Sequence, residues 1–407
     1  MSVLAQTRKQ REKQRMAGKS YSLVPKDVPK VKTPFRRIVT QIPVPESLPV
    51  LERLRKYEPV SMSGQPLVVW DKAKGCNVFD KWGNMWLDWS SGVLVTNAGH
   101  CHPAIQKAVI AQARHGLLHN YCFPSDIRGR LAQRLVGLAP KPLTKAFILT
   151  TGAETTECAI KLGRTYGQKV GGPDKIGVVT FTHAFHGRTL GAQMAGGIPK
   201  LKEWVGKPPS GFYNVPFPDG FRCEDTSFDL FLKTLKDLGV TGKDVCAVMT
   251  ETYQGGGASF APKDYIQKLA KWCKQNDALL VFDEVQAGFG RCGKLFGFEH
   301  YGVVPDLFCC GKGITSSLPL SALVGREDVM NLYGPGEMTS THTGSPLCCV
   351  AALANIEVIR GEKLVQNAAK MGNLLHAELR KIQKKHSDII GAVHGKGLVA
   401  GLHIVKP

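Results

Sequence analysis

Long apolar runs are missing from this chain. No stretch stays apolar for the roughly 20 residues that a bilayer-crossing helix needs, which argues against a membrane protein. Polar and charged residues interrupt the first thirty positions, so no secretory signal peptide is expected. No CxxC pair occurs among the 12 cysteines, and no metal is expected. The cysteines are scattered, apart from two adjacent pairs set among small or apolar residues, Cys309-Cys310 and Cys348-Cys349. Adjacent cysteines rarely bridge each other, so free thiols in a reducing cytoplasm are the expectation, rather than a disulfide framework. No internal repeat is evident.

Acids are also in short supply. The 407 residues carry 53 Lys and Arg against 33 Asp and Glu, a formal net charge of +20. Much of the excess lies in the first forty residues, where Glu12 and Asp27 are the acids present. Such a segment suits nucleic acid, an anionic membrane or an organelle-targeting role. It equally suits a solvated arm with no ligand, which is the reading adopted here. Nucleic acid is therefore not expected as a partner, and the location is cytoplasmic, or the mitochondrial matrix if the arm is a targeting segment.

What is present is mostly a pattern of short strands and helices. Length allows two or three domains. The expected division is a basic flexible arm over 1–40, the first part of a small domain over 41–95, a large domain over 96–345, and a C-terminal part of the small domain over 346–407. PLVVWDKAKGCNVFDKWGNMWLDWSSG alternates apolar and polar residues around turn signals and reads as an antiparallel meander. HPAIQKAVIAQARHG reads as a helix from Pro103 that stops at Gly116. Beyond residue 145 apolar runs such as KIGVVTFT, VCAVMTET and ALLVFDEV alternate with helical stretches, which predicts an α/β domain with a mainly parallel sheet. Ligands of such sheets bind where the strands end. LCCVAALANIEVI starts a long helix leading through to KIQKK, and the last residues read as a hairpin.

The chemistry gathers at those strand ends. VFDEVQAGFGR puts Asp283 near the end of an apolar strand, and FCCGKGI puts Lys312 between two glycines. A lysine amine can form a Schiff base with an aldehyde cofactor, and a carboxylate can keep a pyridinium nitrogen protonated. On these two residues alone, an ordinary buried acid and a surface lysine explain the pattern equally well. Strand alternation sends Asp283 and Val285 to one face, with Gln286 at the strand end. TTGAETTECAIKLGR follows a strand and opens a helix at Gly152 and Ala153, a phosphate-binding geometry, and Thr151 with Glu154 fits a capping box. In FTHAFHGRTLG, Phe185 suits a flat ring, and Arg188 suits a substrate carboxylate. Glu251 ends a neighbouring strand, and Thr341 offers a hydroxyl to a phosphate oxygen.

Taken together, these motifs resemble the class III pyridoxal-phosphate aminotransferases. This fold-type I family includes 4-aminobutyrate, ornithine and acetylornithine aminotransferases. The look of the motifs is that of its 4-aminobutyrate aminotransferase-like members, over roughly residues 65–407. The resemblance implies a large domain with a mainly parallel sheet and a smaller α+β domain. It implies pyridoxal 5'-phosphate (PLP) as cofactor, held as a Schiff base on Lys312. Asp283 would pair with the ring nitrogen, Val285 and Phe185 would sandwich the ring, and Gln286 would reach the phenolic oxygen. Gly152 and Ala153 would hold the phosphate, and Thr341 would reach the phosphate of the other subunit of a homodimer. Arg188 and Glu251 would serve the substrate.

Two departures accompany the resemblance. Gly256 stands where many members have Glu, and the family pattern continues past Pro407 with more of the small domain, so the C-terminal part reads as incomplete. The expected reaction moves an amino group from an ω-amino acid or related amine to a 2-oxo acid such as 2-oxoglutarate. A PLP-dependent racemase or decarboxylase, or an incomplete, non-catalytic binding protein, are the alternatives.

Overall fold

The computed structural model describes residues 21–405. By its internal contacts the chain forms two compact units. One runs to Ser91 and takes in Gly99–Cys101; the other holds Gly92–Ala98 and the chain from His102 onward.

The second unit is built on a seven-stranded sheet. In chain order its strands are β1 (Leu143–Leu149), β2 (Gly177–Phe181), β3 (Phe212–Val215), β4 (Val245–Glu251), β5 (Leu279–Asp283), β6 (Leu307–Cys310) and β7 (Ser321–Arg326). They lie side by side as β1-β7-β6-β5-β4-β2-β3. Strand β7 runs against both its neighbours; all other adjacent pairs are parallel. Strands β2, β4, β5 and β6 are buried along their whole length. A parallel sheet covered on both faces needs apolar residues at every position, which is why these strands read as unbroken runs. In β5 the pleat sends Leu280 and Phe282 into one apolar cluster and Leu279 and Val281 into another. Helix α1 (Gly152–Gly171) adds Ala159 and Leu162 to the second cluster. Helix α2 (Pro346–Gly361) adds Cys349, Ala352 and Ile356 to the first.

The strand directions put one functional edge on this sheet. Because β1 opposes β7 and β7 opposes β6, β1 runs with the parallel strands. The carboxyl ends of β1, β2, β4, β5 and β6 therefore face the same way, where ligands of open α/β sheets bind.

Two expectations change here. The helix expected to run from residue 347 toward Lys385 is two helices, α2 and α3 (Leu364–Lys385). They separate where Lys363 takes a φ of 53°, a left-handed conformation that interrupts a helix. Residues 346–407 also group with the large sheet rather than apart from it, since α2 lies in the same apolar cluster as Phe282 and Phe308. The terminal hairpin is present: Ile390–His394 pairs antiparallel with Gly401–Ile404.

The first unit carries a five-stranded antiparallel sheet. The meander expected from 66–92 supplies Lys72–Lys74, Asn77–Phe79 and Met85–Leu87. Val31–Lys32 and Arg37–Ile38, read from sequence as part of the basic arm, form the other two strands, with Arg37 paired to Met85. Asn84 fixes them. Its amide nitrogen donates to Thr40 Oγ1 at 2.8 Å and to Asp80 Oδ2 at 2.6 Å, and its oxygen accepts from Val39 N at 2.8 Å. The first twenty residues of the arm lie outside the described residues. Among the described residues no helix is long and apolar enough to cross a membrane.

Candidate active site

Four loops leaving the functional edge meet at a cleft of about 130 Å³. It is lined by Gly152 and Ala153 after β1, Phe185 after β2, Asp283, Val285 and Gln286 at the end of β5, and Lys312 after β6. His186 and Gly187 complete the lining. Seven residues singled out in the sequence are thus brought together.

At the mouth of α1 the helix is capped as expected. Thr151 Oγ1 accepts from Glu154 N at 3.3 Å, and Glu154 Oε2 accepts from Thr151 N at 2.6 Å. The amides at the start of the helix are left to face the cleft. Gly152 is required by contact: a Cβ there would fall 2.8 Å from Val285 Cγ1.

Asp283 is buried, and both of its oxygens are engaged. Oδ1 accepts from Val285 N at 3.0 Å, and Oδ2 faces His186 Nδ1 at 2.8 Å. The first of these bonds corrects the strand reading. Strand β5 ends at Asp283, so Val285 comes to the cleft through a turn on the carboxylate and not through the pleat. His186 is a cleft residue that sequence reasoning passed over; nothing in FTHAFHGRTLG signals an imidazole set against Asp283. Burial opposes its charge, but the hydrogen bond to Asp283 and the charges of Asp283 and Glu251 outweigh this and raise its pKa. Its Nε2 is buried without a hydrogen-bond partner.

Lys312 sits in the left-handed region at φ 40°, an uncommon conformation for a residue with a side chain. Strain of this kind persists where the surroundings hold it in place. Gly313 next to it is pressed against Asn97, whose amide nitrogen would lie 2.3 Å from an added Cβ. Asn355 on α2, fully buried, donates from Nδ2 to the carbonyls of Gly313 at 2.8 Å and Ile314 at 3.0 Å. Nothing in the sequence marks Asn355, because its partners lie some forty positions away. Burial depresses the Lys312 pKa below the usual 10.5, while Asp283 and Glu251 act in the other direction. Its amine makes no hydrogen bond or ion pair among the described residues.

Three expected site residues lie elsewhere. Glu251 is in register with Asp283 on the adjacent strand. It is buried, and it spends Oε2 on Phe185 N and Oε1 on Gly255 N, both at 3.0 Å. Burial pushes its pKa up to about 7. In this geometry it holds two loops and does not line the cleft. Arg188 is exposed, with its guanidinium 5.7 Å from the centre of the Phe185 ring. Thr341 is exposed and does not line the cleft of its own chain.

The class III aminotransferase family matches residues 60–407. The chain belongs to that family. The acetylornithine aminotransferase of Caldanaerobacter subterraneus subsp. tengcongensis is 35% identical over 334 residues, covering 82% of this chain and 80% of that protein. The acetylornithine/succinyldiaminopimelate aminotransferase of Yersinia pestis is 35% identical, with 82% and 78% covered. Among solved structures, the ornithine aminotransferase from Toxoplasma gondii ME49 matches with a TM-score of 0.79 and 28% identity over 88% of this chain and 82% of that one. A PLP-bound amine transaminase from an uncultivated Pseudomonas species matches at 0.77 and 28%, over 84% and 81%. These findings bear out the family, its fold type and its cofactor. The narrower 4-aminobutyrate-like expectation goes beyond them.

The class III aminotransferase cleft fits pyridoxal 5'-phosphate on its own geometry. An amine with no partner, a buried carboxylate at a strand end, and free helix-start amides answer an aldehyde, a pyridinium and a phosphate in turn. Among the described residues no cluster of side chains suits a metal ion. All twelve cysteines are free.

Proposed function

We propose that this aminotransferase moves an amino group from an ω-amino acid of the 4-aminobutyrate kind, or a related amine, to a 2-oxo acid such as 2-oxoglutarate. The observation that carries the reading is Arg188. Its exposed guanidinium stands by the Phe185 ring at the rim of the cleft, and no carboxylate pairs with it among the described residues. A planar fork left open there suits a substrate carboxylate. Relatives named for acetylornithine and ornithine make an ornithine-like compound the second candidate donor.

When bound, the cofactor would supply an electron sink for removal of a proton from the amine-bearing carbon. Lys312 would hold it through its amine and move the proton at that carbon. Asp283, oriented by His186, would keep the ring nitrogen protonated. Phe185 and Val285 would pack on the ring, and Gln286 would bind its phenolic oxygen. Gly152 and Ala153 would hold the phosphate on backbone amides. Thr341, exposed and outside the lining of its own cleft, would serve the phosphate of a partner subunit, so that the working unit is a homodimer. A cytoplasmic location is supported by the free thiols.

The test is product analysis of purified protein with 4-aminobutyrate, with and without 2-oxoglutarate. Glutamate formed only when both are present supports the reading; turnover of the donor without an acceptor points to racemase or decarboxylase chemistry. Lys312→Ala should bind cofactor without a borohydride-trappable bond and make no glutamate. A reducible linkage retained at another lysine overturns the assignment.

A further inference from the structure

The terminal hairpin presents histidines where a hairpin ordinarily packs apolar side chains. Its strands pair Ala392 with His403 and His394 with Gly401, so the pleat puts both histidines on one face. Leu402 and Ile404 lie on the other face, 40% and 69% exposed. The histidine face packs on a second hairpin, Tyr253–Gln254 with Ser259–Phe260, whose turn is Gly255–Gly257. The approach is close: a Cβ on Gly401 would fall 2.6 Å from Gly257 O.

The two rings hold that turn. His403 Nε2 donates to Gly257 O at 2.9 Å, and His394 Nδ1 lies 2.8 Å from the Oγ of buried Ser259. Their ring centres are 4.5 Å apart. Phe221 closes the group, edge-on to His394 at 5.9 Å and to His403 at 4.9 Å. On its other side the turn is tied to the cleft. Gly255 N donates to Glu251 Oε1 at 3.0 Å, and a Cβ on Gly255 would fall 2.3 Å from the amide nitrogen of Gln286, which lines the cleft.

This packing cannot hold charge on both rings. Two imidazolium groups so close, and partly sheltered from water, repel strongly. Burial and the charge of His403 hold the His394 pKa below its usual 6.5; Asp219 acts against them, and Arg222 with them. Asp219 is itself committed, since its Oδ1 accepts from the amides of Phe221, Arg222 and Cys223. Neither hairpin brings a charged side chain other than the histidines: Tyr253–Phe260, Ile390–His394 and Gly401–Ile404 hold no Asp, Glu, Lys or Arg. An opened His394 takes its proton near 6.5, and a closed one takes it at lower pH. The advantage of the closed form is therefore complete above 6.5 and is lost as the pH falls from there to the depressed value.

We infer that His394 and His403 are an acid-sensitive latch: neutral, they hold the terminal hairpin on the glycine turn, and charged together they release it. Release reaches the cleft through Gly255, which joins the turn to Glu251 and Gln286. The latch works in the same way whichever substrate the cleft takes.

Hydrogen exchange of the holoenzyme, read by mass spectrometry and corrected for the intrinsic effect of pH, tests this without turnover. Protection of Tyr253–Phe260 should fall about tenfold from about pH 7 to about pH 5.5, the scale of one proton taken up on opening by a group that titrates near 6.5. His403→Gln keeps a donor where Nε2 stands, and His394→Asn keeps a polar partner for Ser259 where Nδ1 stands; neither can charge. Each should shrink that fall at least about fivefold, whereas a merely structural histidine would lower protection equally at both pH values. No fall in the wild type, a fall confined to the terminal hairpin, or an undiminished fall in either variant overturns the inference. Should a variant not fold, titration of the histidine ring protons in the wild type decides. Two well-separated steps support a coupled pair, and two histidines that titrate independently overturn it.

Discussion

Replacing Asn355 by Ala should cripple the loop that carries Lys312, although the side chain touches neither the lysine nor the cleft. Asn355 is fully buried. It donates to the carbonyls of Gly313 and Ile314 and accepts from Ser316 Oγ at 2.7 Å. The same Ser316 oxygen accepts from Ala98 N at 3.0 Å, so its hydroxyl proton is committed to Asn355. Alanine leaves two buried carbonyls without their donor and the Ser316 hydroxyl proton without its acceptor. At about 1–3 kcal/mol each, and allowing the hydroxyl to turn elsewhere, the loss is roughly 3–6 kcal/mol. Unfolding entropy near 2.1 cal/mol/K per residue over 407 residues converts this to a fall of roughly 3–7 °C in thermal midpoint. The assay is calorimetric melting of wild type, Asn355→Ala and Glu357→Ala. Glu357 lies on the same helix in an exposed ion pair with Arg134, and its loss should cost under about 1 kcal/mol. Cofactor uptake should slow in Asn355→Ala, because the left-handed conformation of Lys312 loses its support. An Asn355→Ala protein that melts within a degree of wild type and takes up cofactor at the normal rate refutes the reasoning.

Asp283→Asn, which cannot hold a protonated ring nitrogen, should lower turnover at least ~100-fold, about 2.7 kcal/mol of barrier; near-normal turnover with cofactor bound removes the carboxylate from the chemistry. Burial depresses the Lys312 pKa, so between that depressed value and 10.5 the unfolded chain binds a proton that the folded chain has released, and the contribution of Lys312 to the stability of the cofactor-free protein rises with pH. Melting from about pH 8 to 10.5 should show that rise diminished in Lys312→Met; an identical slope in both proteins contradicts it. Mixing inactive Lys312→Ala chains with inactive Thr341→Trp chains should restore activity through hybrid dimers, and a fully active monomer by light scattering would rule out the shared site. Removing residues 1–20 should leave kcat/KM unchanged and flatten any salt-dependent binding to DNA; lost activity would make the arm part of the working enzyme.

The residues that could be read from sequence are those whose surroundings are local. A capping box spans four positions, so Thr151 and Glu154 announced the start of α1. Asp283 and Lys312 each sit in a short run that ends a buried strand, and a parallel sheet turns strand ends into neighbours. Val285 reached its expected place by an unexpected route, because a side-chain-to-backbone turn took over where the strand stopped. Glu251 could be placed at the edge of the sheet, but not its use: one oxygen binds the amide of Phe185, 66 positions away, and the other that of Gly255, four positions on. His186 and Asn355 could not be read at all. Each takes its meaning from a partner 41 to 97 positions away, and neither a period nor a spacing encodes such a pairing.

Glu251 has a mechanical consequence. One oxygen holds the amide of Phe185 and the other the amide of Gly255, which is pressed against Gln286 in the cleft lining. Two walls of the cleft therefore hang from a single buried carboxylate. A change at Glu251 displaces Phe185 and Gln286 together, whereas a change out in either loop can act singly.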